Sequence, residues 1–152
     1  MNFTGKKETP APAATKNTFE PITNYMAKNV ITFSPEQSIY DAIDIMLEKR
    51  ISGGPVLDKS GALIGILSEK DCLKVMVDAV YHNQLNTDGV VKDYMSTTVT
   101  TVDVSKDVVD VANMFLTSNF RRYPVVEQGK LKGQVSRRDV MKAAAKLRGT
   151  TW

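Results

Sequence analysis

The chain reads as an α+β protein made of two copies of one β-α-β-β-α unit. Three observations predict this: an internal duplication, a helical apolar stripe present in both copies, and a hairpin followed by a capped helix in both copies. Residues Ile22 to Val80 and Val91 to Leu147 run in parallel. Tyr25-Met26 recurs as Tyr94-Met95, Val30 as Val99, Thr32 as Thr101, Asp41 as Asp110, Leu47 as Leu116 and Pro55-Val56 as Pro124-Val125, each 69 residues on. Past the hairpin turn the spacing is 68, and Gly65, Ser68, Asp71 and Lys74 recur as Gly133, Ser136, Asp139 and Lys142. The single deletion falls at a Gly-containing turn, where a hairpin tolerates it. A duplicated unit that cannot bury its apolar faces alone packs against its copy, and the cleft between copies is the natural place for a site.

Each element follows in order. Val30-Ile31-Thr32 is a short β-prone run ahead of Ser34-Pro35. Ser38 with Asp41 three positions later predicts a helix start. Ile39, Ala42, Ile43, Met46 and Leu47 then form one apolar stripe, repeated as Val108, Val111, Ala112, Phe115 and Leu116 with Asp107 as the cap. Gly53-Gly54 ends the helix exit; Pro55-Val56-Leu57 and Leu63 to Leu67 flank an Asp58–Gly61 turn, a hairpin pattern. Ser68-Glu69-Lys70-Asp71 opens a second helix whose stripe is Cys72, Val75, Met76, Ala79 and Val80. The second copy offers Val140, Ala143, Ala144 and Leu147. The predicted organisation is a flexible arm at 1–20 rich in Pro, Ala, Thr and Lys, repeats at 21–81 and 91–148, a polar linker at 82–90 and a short tail at 149–152.

Composition narrows the function. Apolar content of 42% and charged content of 24% are ordinary for a soluble globular chain. No apolar run approaches a membrane span and the N-terminus has no signal core, so a cytoplasmic location and no membrane partner are expected. The one cysteine, Cys72, fits a reducing compartment and lies on an apolar stripe, so it reads as a core residue. A net charge of +3 permits anionic small molecules without marking a nucleic-acid binder. His82 stands alone in the linker, and there is no nucleophile–base–acid set and no Walker-type loop, so neither a metal nor an enzyme is expected. The methionines fall mostly on the stripes, and Trp152 either docks on a neighbour or stays loose.

The sharpest motif is Gly65-Ile66-Leu67-Ser68-Glu69-Lys70-Asp71, repeated as Gly133-Gln134-Val135-Ser136-Arg137-Arg138-Asp139. One reading is a capping box, with Ser as cap and Asp reciprocating. The other is a helix N-terminus facing an anion, with the Asp carboxylate accepting from two vicinal hydroxyls of a ribose. Glycine in the strand would then let a ligand approach the backbone.

This arrangement, present twice, resembles the cystathionine β-synthase (CBS) domain. That family shows a strand, an acid-capped helix, a small or apolar residue before Pro-Val, a turn, and Gly-x-x-Ser/Thr-x-x-Asp opening the last helix. The match covers nearly all of Ile22 to Leu147. The resemblance implies a tandem pair with pseudo-twofold symmetry that binds adenosine-containing ligands (AMP, ADP, ATP, S-adenosylmethionine or NAD) in the cleft between repeats. It implies a non-catalytic module relaying energy or metabolite status to a separate protein effector, with no catalytic cofactor and with homodimers forming a four-CBS disc. A structural dimerisation module with vacant clefts is the alternative.

By that resemblance, Asp71 and Asp139 each hold a ribose, with Ser68 and Ser136 near ribose or phosphate. The adenine wall comes from Val30 and Thr32, or Val99 and Thr101, and from the stretch before proline: Ile51, Ser52 and Gly53 in one copy, Phe120 and Arg121 in the other. Arg121 and Arg122 would clamp phosphates through fork-shaped, charge-assisted bonds, and Arg137 and Arg138 add positive charge. A solvated basic face is the other reading of these arginines. The Asp139 site is therefore expected to prefer phosphorylated ligand over the Asp71 site. Tyr123, in the place of Gly54, either stacks on a base or fills and blocks the cleft.

Overall fold

The computed structural model describes residues 19–81 and 89–148. Nearly all of the expected arm, most of the linker with His82, and the tail with Trp152 lie outside the described residues. The described elements are α1 (Ile39–Lys49), β1 (Gly53–Leu57), β2 (Leu63–Ser68), α2 (Glu69–Tyr81), β3 (Val102–Asp103), α3 (Val108–Leu116), β4 (Arg122–Glu127), β5 (Lys130–Ser136) and α4 (Arg137–Leu147). Short 3-10 turns at Ile22–Asn24 and Val91–Asp93 lead the two copies. The α+β expectation is met: a helix–hairpin–helix run recurs in each copy, and the second copy adds a short leading strand.

Local chemistry sets the element ends. Ser38 Oγ accepts from the amides of Tyr40 at 3.2 Å and Asp41 at 3.4 Å, opening α1. Asp107 and Asp110 form a reciprocal box at α3, with bonds of 2.8 and 3.0 Å. β1 and β2 pair antiparallel, Gly53 opposite Ser68 and Pro55 opposite Ile66. Their turn is held by Asp58, whose Oδ1 accepts from the amides of Ser60 at 2.8 Å and Ala62 at 3.0 Å. The second hairpin is one residue shorter and turns through Gln128 (φ 50°) and Gly129 (φ 79°), both left-handed, as a two-residue hairpin loop requires.

The first strand differs from expectation. Val30–Thr32 is not a strand; the pairing is a single parallel bridge between Phe33 and Val56. In the second copy the strand falls at the equivalent place, Val102–Asp103, beyond Val99 and Thr101. The Phe33 amide donates to the Pro55 carbonyl, and the Phe33 carbonyl accepts from Leu57, both at 2.9 Å. Pro35 soon follows in the sequence and cannot extend a ladder.

The chain divides into two compact units, and neither is a sequence repeat. One comprises Asn29–Thr101 with Val126–Lys132; the other comprises the described residues up to Lys28, Val102–Val125, and those from Gly133 onward. The first unit's core is Phe33, Ile39, Ala42, Met46, Val56, Leu67, Val75, Val91 and Tyr94. The second unit's core is Ile22, Val102, Val111, Phe115, Tyr123, Val125 and Val135. Val91, from the second copy, is therefore buried among first-copy side chains, and Ile22, from the first copy, among second-copy ones. Matching bonds tie both in: Val91 N–H donates to Gln37 O and Ile22 N–H to Lys106 O, each at 2.9 Å. Isolated bridges extend the exchange, Ile66 with Ser96 in one unit and Ala27 with Gln134 in the other. Full burial of each aliphatic anchor contributes about 1.5–3 kcal/mol.

This exchange explains the two motif glycines. A Cβ on Gly65 would lie 2.7 Å from Met95 Sδ and 2.9 Å from Ser96 O; one on Gly133 would lie 2.6 Å from Ala27 O and 2.7 Å from Met26 Sδ. The expectation that these glycines admit a ligand is corrected: they admit the exchanged segment of the chain itself.

The apolar stripes are half right. Ile39, Ala42, Met46, Val75, Val111, Phe115 and Ala143 are buried. Leu47, Met76, Val80, Leu116 and Leu147 are exposed, as are Leu73, Val77, Tyr81 and Met141. Ala144 is exposed too.

Candidate functional site

Each unit holds one Ser-x-x-Asp corner. At the start of α2, Ser68 N–H donates to Asp71 Oδ2 at 3.0 Å and Asp71 N–H donates to Ser68 Oγ at 3.1 Å. At the start of α4, Ser136 N–H donates to Asp139 Oδ2 at 2.9 Å and Asp139 N–H to Ser136 Oγ at 3.1 Å. The capping reading therefore holds in both copies. It employs one carboxylate oxygen of each aspartate. The other oxygen, Oδ1, faces a lysine one turn on, Lys74 at 3.3 Å and Lys142 at 3.9 Å. The Asp71 and Asp139 side chains are 14% and 18% exposed, so each carboxylate is mostly enclosed while keeping an edge at the surface.

The amides of the first helical turn are largely committed within the chain. Glu69 N–H donates to Ser52 O at 2.9 Å and Arg137 N–H to Arg121 O at 3.1 Å. With the Asp71 and Asp139 amides bound to serine hydroxyls, only those of Lys70 and Arg138 in the opening turn lack a partner among the described residues. The expected row of amides facing an anion is thus reduced to one per helix.

These bonds gather the first set of sequence-selected residues. Ser52 is fastened to the start of α2, and Gly53 (φ +152°) backs onto the Leu67 carbonyl and onto Ser68 Cα, where a Cβ would be 3.0 Å away. The Ile31 carbonyl lies 2.7 Å from where a Gly54 Cβ would be, bringing the Val30–Thr32 segment alongside. Val30, Thr32 and Ile51 are half-buried, and Ser52 is exposed. Only glycine fits at position 53, so this corner has no room for the arginine that the second copy carries at the equivalent Arg122.

The second corner is basic. Arg121, Arg122, Arg137 and Arg138 are all exposed around the start of α4. Arg137 is committed, its Nε–H donating to the Phe120 carbonyl at 2.9 Å. The side chains of Arg121, Arg122 and Arg138 make no ion pair among the described residues. Val99 and Thr101 are half-buried members of the other unit.

Tyr123 offers no face to a base: it is 2% exposed and sits in the core. Its ring packs 4.7 Å from that of Phe115, and its hydroxyl is satisfied by Met114 O at 3.1 Å and Ser118 Oγ at 2.6 Å. The first copy fills the equivalent core layer from the neighbouring segment, with Phe33 beneath Gly54, where the second copy has Val102 and Tyr123. Phe120, three residues earlier, is at the surface, 52% exposed.

Cys72 is half-buried, its Sγ 3.8 Å from Met46 Sδ. Burial, then the neighbouring Asp71 and Glu69 carboxylates, pushes its thiol above the ordinary range, the opposite of an activated nucleophile. No cluster of three metal-ligating side chains occurs among the described residues. No described helix is long and apolar enough to cross a membrane.

The duplicated helix–hairpin–helix run, with a Gly-x-x-Ser-x-x-Asp corner opening its last helix, defines the class. The family model for the CBS domain matches residues 22–78 and 91–146, and the chain belongs to that family, as a tandem pair. It is 31% identical over 133 residues to the uncharacterized protein MJ1225 of Methanocaldococcus jannaschii, covering 88% of this chain and 44% of that protein. It is 31% identical over 148 residues to the chloroplastic CBS domain-containing protein CBSX2 of Arabidopsis thaliana, covering 82% of this chain and 62% of that one. The chain thus spans less than two thirds of either relative. Among solved structures, CBSX2 in complex with AMP superposes with a TM-score of 0.73 at 32% identity, covering 85% of this chain and 98% of that one. The crystal structure of MJ1225 shares the fold, with a TM-score of 0.71 at 22% identity over 87% of this chain and 51% of that one.

Proposed function

We propose that this chain is a non-catalytic regulatory module that binds an adenosine-containing ligand at its Ser-x-x-Asp corners. The observation that carries the reading is the leftover carboxylate oxygen of Asp71 and of Asp139, enclosed beside the cap and backed by a lysine. An ionised carboxylate oxygen accepts from a sugar hydroxyl in a charge-assisted bond. The relative solved with AMP supports an adenine nucleotide as the ligand class.

The second corner takes the phosphorylated ligand. Arg121, Arg122 and Arg138 supply guanidinium forks there, while the first corner offers Ser52, Gly53 and Lys70 at those places. A ligand can shift the protein only by binding one arrangement better than another, and the change is relayed to a separate protein effector. The exposed apolar helix residues, above all Leu73, Met76, Val77, Val80 and Tyr81 of α2, support a homodimer in a four-CBS disc. The location proposed is the cytoplasm.

The closed capping boxes favour one second reading, a dimerisation module without a ligand, because capping alone accounts for Ser68, Asp71, Ser136 and Asp139. Thermal-shift screening separates the two. AMP, ADP, ATP, S-adenosylmethionine and NAD are each added to the wild type. A nucleotide at 100 times its Kd stabilises the native form by about 2.7 kcal/mol. No shift with any of them supports the structural reading.

A further inference from the structure

We infer that Arg137 is a positioning residue that fixes the Phe120–Arg122 loop for the ligand, rather than a phosphate contact. The inference rests on the nucleotide-binding reading above and deepens it. Arg137 grips the loop at two successive carbonyls: its Nε–H donates to Phe120 O at 2.9 Å and its backbone N–H to Arg121 O at 3.1 Å. The loop's other end is tied to the core. Phe120 N–H donates to Ser118 Oγ at 3.3 Å, Ser118 Oγ lies 2.6 Å from the Tyr123 hydroxyl, and that hydroxyl donates to Met114 O at 3.1 Å. The half-exposed Phe120 ring, 5.6 Å from the Tyr123 ring, and the Arg121 and Arg122 side chains are thus carried on a backbone braced at both ends.

The first copy lacks this brace. Glu69 stands at the equivalent of Arg137, and its amide makes the matching bond to Ser52 O at 2.9 Å. An ionised glutamate side chain has no proton to donate, so the Ile51 carbonyl receives no such strap. The second corner is therefore assembled before a ligand arrives, and the ordering cost of the loop is already met in the free protein.

The two roles predict different selectivity. A phosphate contact strengthens AMP and leaves adenosine alone; a positioning residue serves adenosine as well. Adenosine and AMP are titrated calorimetrically into wild type, Arg137→Met and Arg137→Lys. Both variants are expected to weaken adenosine by about 5-fold and AMP by at least as much, because Arg121 and Arg122 ride on the same loop, with faster amide exchange at Phe120–Arg122. Arg137→Lys retains the charge but not the Nε donor, so it also serves if Arg137→Met fails to fold. A loss confined to AMP and spared by lysine, or no loss for either ligand, overturns the inference. A wild type that binds neither ligand overturns the nucleotide reading itself.

Discussion

Asp139 and Ser136 hold each other by two reciprocal bonds of 2.9 and 3.1 Å, and the second carboxylate oxygen stays outside the cap, beside a lysine. Asp71 and Ser68 do the same in the other unit. The two alanine substitutions are therefore expected to destabilise the ligand-free protein alike, by about 1 kcal/mol each, the usual size of a capping contribution. Their effects on nucleotide affinity are expected to differ. Asp139→Ala should weaken AMP by roughly 10- to 150-fold, the worth of a hydrogen bond to a charged group, while Asp71→Ala leaves the tighter binding event in place. Urea denaturation and calorimetric titration of both variants check the pair.

The exchanged segments press on Gly65 and Gly133 at distances that leave no space for a methyl group. Gly65→Ala and Gly133→Ala should each cost about 1–3 kcal/mol, the range for overpacking a close contact. Chemical denaturation of the two variants measures this. An alanine tolerated without loss at either position would mean that the Met95-Ser96 or Met26-Ala27 segment does not press on that glycine.

Phe33 with Gly54, and Val102 with Tyr123, put one aromatic ring in each core from opposite partners. Tyr123→Gly should cost about 3–5 kcal/mol by emptying the second core. Val102→Phe alone should cost about 1–3 kcal/mol by overfilling it. The double variant should be more stable than the sum of the two costs, because the new ring refills the void; a double-mutant cycle by urea unfolding reads the coupling.

Among the exposed apolar residues, Met76 and Val80 stand one turn apart on α2. If this face mates with a second copy, Met76→Glu with Val80→Glu should convert dimer to monomer in sedimentation velocity, since unpaired charges in an apolar interface are strongly opposed. The fold of each chain should survive, because both positions are already in water.

Much of this was legible in the residues. The duplication located the helices, hairpins and caps, since two copies of a pattern at one spacing exclude coincidence at α1 and α3. The exchange of Ile22 and Val91 was not legible, because both copies carry the same apolar leading segment and periodicity cannot say which core receives it. The roles of Gly65 and Gly133 followed from that exchange and were missed with it. Tyr123 was ambiguous in the sequence because its partner in space, Val102, is recognisable only once Phe33 and Gly54 are seen in contact. Arg137 looked like its neighbours; only the Phe120 carbonyl at its Nε separates it from Arg138. Leu47 and Leu116 satisfied the helical period yet lie on faces that neither core covers.

The most direct test of the central claim compares AMP with its 2′-deoxy and 3′-deoxy analogues by calorimetric titration of wild type and Asp139→Ala. If the leftover oxygen of Asp139 grips the ribose diol, each missing hydroxyl weakens wild-type binding by about 10-fold or more and changes the affinity of Asp139→Ala little. Equal affinity of the wild type for AMP and both deoxy analogues would contradict it.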